Sequence, residues 1–412
     1  MKVLHITYTT SGGAGIAVLR LHEALLAQGV ESKILVGQTD IVSDCIVKIT
    51  ETKRGRYKVP NVPIINQAIR SLRRRGKCMT RMEKMEYELA QLDKKYPAYF
   101  DLPLSSYEIE RHPLVEWADV INLHWISGFV DFPTFFSNIK KPIVWTMHDL
   151  NPLYGGFHHT RLREKYSESY SALESACYNI KKDTVTANPN VSFIALSSKM
   201  ESIIKGHEIY QGKPVYKINN CVNPSQFRIL SKAQCRQILG WPESSKILLF
   251  VNRNMNDSEK GLEELAESLL LCDKENIHLV CVGDGMAPNI GTKVKVCHYR
   301  SVQDPVWLNI LYSGADFLVQ PSHQEAFPLT PIEAMCCGTP VIITPVSGAD
   351  DMINDNNGII ANGYTPEDIS KALNLAFNRT FDSNKIREDI IAKYSPACIA
   401  KQYIRVYKNI TA

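Results

Sequence analysis

Residues 321–342 read PSHQEAFPLTPIEAMCCGTPVI, and this stretch decides the fold. The run leading into it, DFLVQPS (316–322), reads as a buried strand; a helix is predicted from about Pro331, and PVIITP (340–345) reads as a second strand. Strand, helix and strand in immediate succession form the βαβ unit of a parallel sheet. Glu325 follows the first strand and Glu333 falls in the helix. Both carboxylates, with the backbone of 327–329, are therefore expected around one helix N-terminus at the carboxyl end of a strand, where open α/β sheets bind ligands. Glu333 also has a purely local explanation, in which Thr330 is the N-cap and Glu333, three positions on, closes a capping box. The two readings are compatible.

The same alternation extends in both directions. KILLFVN (246–252), IHLVCVGDG (277–285) and KVKVCHY (293–299) read as strands, with helices at 260–272 and near 305–313. Upstream, VLHIT (3–7), KILVG (33–37), VINLHW (120–125), PIVWTMH (142–148), SFIALS (192–197) and VYKINN (215–220) do the same, and NNCVNPSQF (219–227) is a turn-rich link. The expected fold class is α/β, with parallel-sheet domains over 1–222 and 223–396. The loop SGGAG (11–15) follows the first strand and opens a helix. Its glycines, Gly12, Gly13 and Gly15, would let a ligand reach the backbone, although the spacing is not GxGxxG and a tight structural turn fits as well. His148 ends a strand and precedes Asp149; His124 ends another. His158 and His159 lie in a polar loop and read as solvated. These histidines lack Cys or acidic partners at ligand spacing, and there is no Asp-x-Asp, so no metal is expected.

Composition narrows the function. The chain has 412 residues, 44% hydrophobic and 22% charged, with no apolar run that reaches the length of a transmembrane helix. MKVLHITYTT reads as a strand rather than a signal peptide. Eleven cysteines, an odd number without a CxxC, point to free thiols in a reducing cytoplasm. The net charge of +4 is uneven: residues 51–84 carry +9 and the remainder sums to −5. Within this basic insert, 63–77 forms a wheel with Ile64, Ile65, Ala68, Ile69 and Leu72 on one arc and Arg70, Arg73, Arg74 and Lys77 on the other; Arg75 breaks the apolar arc. A core-packed helix and an anionic membrane surface bound through 63–77 both fit it. Nucleic acid is not expected as a partner, because no base-reading module accompanies the arginines.

The Glu-x7-Glu pair before Ala334-Met335, Gly338 and Pro340-Val341 resembles the donor site of retaining GT-B glycosyltransferases, family 4. The resemblance continues in order through NRNMNDSEKGLEEL (252–265), VGDG (282–285) and SGADFLVQPS (313–322), the GGAG loop and INNCVNPSQF. WTMHDLNPLYGGFHH (145–159) resembles a subgroup that builds bacterial surface polysaccharides. It implies an N-terminal acceptor domain, a C-terminal nucleotide-sugar domain, a cleft between them, and a final helix (397–412) that crosses back to the first domain.

It also assigns roles. Glu333 would hold the ribose hydroxyls, and Arg253 and Lys260 the diphosphate. Glu325 would bind sugar hydroxyls, assisted by the amides of Phe327 and Leu329, with Thr330 in the same loop. Pro328 stands where many members have Gly and removes one amide donor. Gly13 and Gly15 would line the donor side, His148 would touch the sugar near the reaction centre, and His124 is an acceptor-side candidate. The implied reaction transfers a sugar with retention from a nucleotide-diphosphate-sugar co-substrate, without other cofactors, to a glycan or lipid-linked acceptor, in the cytoplasm or peripherally at the inner face of the membrane. Another GT-B enzyme, such as a nucleotide-sugar epimerase, and a non-catalytic binding relative are the alternatives.

Overall fold

The computed structural model describes residues 1–52, 54–55 and 79–412, so the amphipathic stretch 63–77 and its membrane reading lie outside the described residues. The chain divides into two compact units. One comprises Met1–Ala195, Glu201–Tyr216 and Ile404–Ala412; the other comprises Leu196–Met200 and Lys217–Tyr403.

In the first unit, β1 (Lys2–Thr9), β2 (Glu31–Gln38), β3 (Ile46–Lys48), β4 (Val120–Leu123), β5 (Ile143–Met147), β6 (Val191–Ala195) and β7 (Val215–Lys217) form a sheet in the order β3-β2-β1-β4-β5-β6-β7. In the second, β8 (Lys246–Asn254), β9 (Ile277–Asp284), β10 (Val294–Tyr299), β11 (Phe317–Gln320), β12 (Val341–Ile343) and β13 (Gly358–Ile360) are ordered β10-β9-β8-β11-β12-β13, and their pairings are parallel. Numbered within its own sheet, each unit runs 3-2-1-4-5-6, the doubly wound order, and the first adds a seventh strand beside the sixth. The chain reverses direction across the sheet between β1 and β4 in one unit and between β8 and β11 in the other, and such switch points are where ligands bind.

Alternation of side chains explains the burial. Leu248, Phe250, Leu279, Cys281, Phe317, Val319 and Ile342 enter one core of the second unit. Their chain neighbours Ile247, Leu249, Val280, Val282, Leu318, Val341 and Ile343 enter the other. A strand covered by helices on both faces has no solvated side, so these segments read as continuous apolar runs. In the first unit, the long helix Thr160–Ala187 buries Tyr170, Leu173, Cys177, Ile180, Lys181 and Val185, the stripe that 3.6-residue periodicity gives. Ile404–Ala412, which includes the end of the final helix, Pro396–Thr411, belongs to the first unit, where Asn122 Nδ2 donates to the Tyr407 hydroxyl at 2.7 Å.

The ten cysteines among the described residues are free thiols, seven of them buried. No helix among the described residues is long and apolar enough to cross a membrane.

Candidate functional site

At the β8/β11 switch point of the second unit, a register shift between Val251 and Asn254 bends the end of β8 and leaves Arg253 exposed. The chain then forms a 3-10 turn, Ser258–Lys260, and Gly261 takes φ +70°. A Cβ on Gly261 would lie 2.0 Å from the carbonyl oxygen of Pro321. The Lys-Gly pair is thus a steric necessity: only glycine lets this turn press against the loop after β11 while Lys260 reaches into it. Lys260 Nζ donates to Glu325 Oε1 at 2.8 Å. Burial opposes the ammonium charge, but Glu325, then Asp257 and Glu259, hold its pKa above the ordinary lysine value. Lys260 is therefore a standing cation.

Gln320 braces the carboxylate. Its Nε2 donates to Ser322 Oγ at 2.6 Å and Glu325 Oε1 at 3.3 Å, while Thr330 Oγ1 donates to Gln320 Oε1 at 2.8 Å. His323 is pinned beside it: its amide donates to the Glu259 carbonyl, its Nε2 lies 2.6 Å from Glu264 Oε1, and its ring stacks on Tyr364.

The helix begins earlier than the sequence suggests, at Leu329, with Pro328 as N-cap at φ −67° and ψ 142°. Thr330 is therefore inside the first turn, its hydroxyl spent on Gln320, and the capping box with Glu333 does not form. The reason is Pro328 itself, whose locked φ suits the residue that opens a helix and whose missing N–H costs nothing there. The amides of Phe327 and Leu329 hydrogen-bond to no partner among the described residues. Glu333, on the same helix, is 5% exposed and accepts from the Tyr312 hydroxyl at 2.8 Å on Oε2. Glu325, Lys260, Glu333 and the free amides thus converge on one switch point. Gly283, at φ +156°, abuts the Asn252 carbonyl and brings the end of β9 against the end of β8.

In the first unit, the glycine loop separates into two roles. A Cβ on Gly15 would lie 2.3 Å from the Thr10 backbone, and Gly12 sits at φ +73°, so both are demanded by the turn from β1 into helix Gly12–Leu26. A Cβ on Gly13 would meet nothing within 4 Å, so its own chain does not require glycine there.

Adjacent strands β1, β4 and β5 carry three imidazoles in series. His5 Nδ1 lies 2.9 Å from His124 Nε2, and His124 Nδ1 lies 3.0 Å from His148 Nε2. His5 and His124 are buried and His148 is half-buried. His124 was read as facing an acceptor; its burial and the use of both ring nitrogens place it behind His148 instead. Burial lowers all three pKa values. His5 falls to about 3, aided by His22; His148 falls to about 4 against the opposing Asp149 charge; and His124 lies well below its usual value, aided by His5 and His148. All three are neutral at physiological pH.

His158 is the opposite case, and the solvated reading given to it is wrong. It is fully buried, with Nδ1 2.6 Å from Asp149 Oδ2 and Nε2 2.9 Å from Asp101 Oδ2. Burial disfavours its charge, but the two carboxylates outweigh that and raise its pKa to about 9. Its ring stacks on Tyr99 at 4.2 Å, and Trp125 Nε1 donates to Asp149 Oδ2 at 3.2 Å. His159 is half-buried and also stacks on Tyr99. Lys181, from the long helix, donates to Asn151 O, Asn151 Oδ1 and Tyr154 O, closing the loop after β5 into a rigid knot. Sequence reasoning missed Gln320, Tyr312, His5 and Lys181. Each is a polar residue inside an apolar strand or stripe, and that anomaly was the available signal.

Residues 231–393 match the family model described as glycosyl transferases group 1. An uncharacterized glycosyltransferase of Methanocaldococcus jannaschii is 28% identical over 318 residues, covering 71% of this chain and 76% of the relative. Among solved structures, sucrose-phosphate synthase of Thermosynechococcus elongatus superposes with a TM-score of 0.67 at 20% identity, covering 100% of this chain and 99% of that one. HepE of Anabaena, solved with UDP-glucose, gives a TM-score of 0.61 at 14% identity over 99% of this chain and 100% of its own. These likenesses establish the architecture, and the matched segment contains the whole β8/β11 site: the protein is of GT-B fold, and its residues 231–393 are similar to the group 1 glycosyl transferases.

Proposed function

We propose that this protein is a retaining glycosyltransferase of the family 4 type, moving a sugar from a nucleotide-diphosphate-sugar to a hydroxyl of a glycan or lipid-linked acceptor in polysaccharide assembly. The observation that carries the reading is the Lys260–Glu325 pair beside buried Glu333 and the free amides of Phe327 and Leu329, all at one switch point of the matched module.

Each part has a task in that reaction. Lys260, a cation at any physiological pH, and exposed Arg253 take up the charge that grows on the leaving diphosphate; stabilising charge where it develops is the largest lever such a site has. Glu333, oriented by Tyr312, accepts from the vicinal hydroxyls of the ribose. Glu325 Oε1 is occupied by Lys260 and Gln320, and Oε2 is left to accept from a sugar hydroxyl. The amides of Phe327 and Leu329 donate to sugar or phosphate oxygens at the positive end of the helix. We assign no protein nucleophile: the acceptor hydroxyl attacks the face the diphosphate leaves, and a departing phosphate oxygen takes its proton. His148, neutral and half-buried, is assigned to the transfer step.

Because HepE was solved with UDP-glucose, that donor is the first probe, followed by the ADP- and GDP-sugars. A donor at ~100 times its dissociation constant raises stability by ~2.7 kcal/mol, a readable thermal shift. Lys260→Ala and Glu333→Ala should abolish both the shift and transfer while folding normally. Full activity of Lys260→Ala, or isomerised donor without transfer, overturns the proposal.

A further inference from the structure

We propose that His5 and His124 are positioning residues that fix the tautomer of His148, so that its outward Nδ1 carries the proton and acts as a hydrogen-bond donor. The three rings form a chain of two hydrogen bonds, His5 Nδ1 to His124 Nε2 and His124 Nδ1 to His148 Nε2. Neutral imidazole has one donor and one acceptor nitrogen, so the chain admits only two states. Either every ring is protonated on Nδ1 or every ring is protonated on Nε2; mixing them would set two protons or two lone pairs face to face.

The inner end decides between them. His5 Nε2 is buried and has no hydrogen-bond partner among the described residues. In the all-Nε2 state that atom would be an N–H sealed in the core without an acceptor, the rarest kind of orphan in folded proteins. In the all-Nδ1 state it is a bare lone pair, and every N–H in the chain has somewhere to go: His5 to His124, His124 to His148, and His148 Nδ1–H outward. No residue among those described takes a hydrogen bond from His148 Nδ1, so that donor is left for a ligand. Burial keeps the rings neutral, which preserves the two-state logic.

The consequence is specific. His148 presents a donor toward an oxygen, such as a sugar hydroxyl or phosphate oxygen, and does not act as a base through that nitrogen. Its orientation is set from β1, two strands away. The role of His148 in transfer rests on the function proposed above; its tautomer does not, because it is read without substrate.

The experiment is long-range 1H–15N NMR on the full chain labelled with 15N-histidine, with the His148 ring assigned by its loss in His148→Gln. The expected pattern is a protonated Nδ1 and an unprotonated Nε2. That is the reverse of the form free histidine favours, so it reports the relay and not the default. A His148 protonated on Nε2 overturns the proposal with no variant needed. In His124→Asn, checked for folding by the unshifted signals of the histidines outside the relay, the side-chain amide can turn either its oxygen or its nitrogen toward His148 Nε2, so the constraint is lifted and His148 should revert to Nε2–H. Retention of the Nδ1–H form in folded His124→Asn also overturns it. If the function is as proposed, kcat in His124→Asn falls on the order of tenfold or more at unchanged donor KM, the scale seen when an orienting partner behind a site residue is lost.

Discussion

Replacing His158 with glutamine should remove a pH-dependent part of the stability, and its size follows from the geometry. The imidazolium is fully buried between Asp149 and Asp101, at 2.6 and 2.9 Å. Its pKa rises from 6.5 to about 9. A rise in the folded state means that the folded protein holds the proton more tightly than the unfolded chain. The stabilisation is fully present below pH 6.5 and is lost as pH rises through 9. The shift corresponds to ~3 kcal/mol at low pH, of which ~2 kcal/mol survives at pH 7.5. Glutamine occupies similar volume and can donate to one carboxylate, but it does not titrate.

Urea unfolding of wild type and His158→Gln, followed by tryptophan fluorescence, measures the difference at pH 6.0, 7.5 and 9.5. The variant is expected to be less stable at every pH, because two carboxylates then face each other with less compensation. The informative quantity is how the gap changes. It should shrink by ~3 kcal/mol between pH 6.0 and 9.5. Other titrating groups contribute equally to both proteins and cancel in the comparison. A gap that stays constant across this range refutes the claim that His158 is held as a cation.

Four further outcomes are expected. Below pH 6.5 stability should fall, since His5, His22 and His148 stay neutral in the fold down to about 3, 4 and 4 while the unfolded chain takes up protons; a thermal midpoint flat from pH 7 to 5 contradicts this. Gly261→Ala should cost ~1–2 kcal/mol from its φ of +70° alone, with more from the Pro321 carbonyl, and should abolish transfer by displacing Lys260, both read by thermal melting and activity. Gly15→Ala should fail to give stable protein, whereas Gly13→Ala should fold with an unchanged melting temperature and lose activity; equal behaviour of the two would sink the division of roles in that loop. Tyr312→Phe should keep the fold and weaken nucleotide affinity by removing the donor that orients Glu333, measured by the thermal shift with UDP-glucose.

The architecture was legible because it rests on local pattern. Strands such as Val191–Ala195 and Ile277–Asp284 are buried on both faces, so composition announces them without help from alternation. The three-residue strands Ile46–Lys48 and Gly358–Ile360 were not found, because so short a segment owes its conformation to the neighbour it pairs with. In the site, Glu325 and Glu333 were singled out from their spacing around a strand-to-helix turn and Lys260 and Arg253 from the family resemblance, and the fold brings Lys260 Nζ within 2.8 Å of Glu325 Oε1. His158 was misread because a histidine among glycines and polar residues looks solvated unless Asp101, nearly sixty positions earlier, is known to lie beside it. The His5 relay was missed for the same reason: β1 and β4 are adjacent in space but separated by more than a hundred residues of chain.

The two switch points manage charge in opposite ways, and the difference has a chemical reason. In the second unit, Lys260 is held charged by a carboxylate 2.8 Å away, which suits the diphosphate contact proposed for it. In the first, three imidazoles are held neutral by burial, and the buried cation His158 is matched by Asp149 and Asp101. In the transfer proposed, a positive charge on His148 would repel an oxocarbenium-like centre, whereas a neutral imidazole donates a hydrogen bond at no such cost. Asp149 illustrates the economy. It immediately follows His148 and would otherwise draw a proton onto that ring, but its carboxylate is engaged by His158, Trp125 and the Asn151 amide, and His158 with the Asn151 backbone holds its pKa below the ordinary aspartate value against the opposing effect of burial. The His-Asp pair in the sequence is therefore two separate devices: a neutral donor aimed outward, and a carboxylate turned inward to hold the loop that positions it.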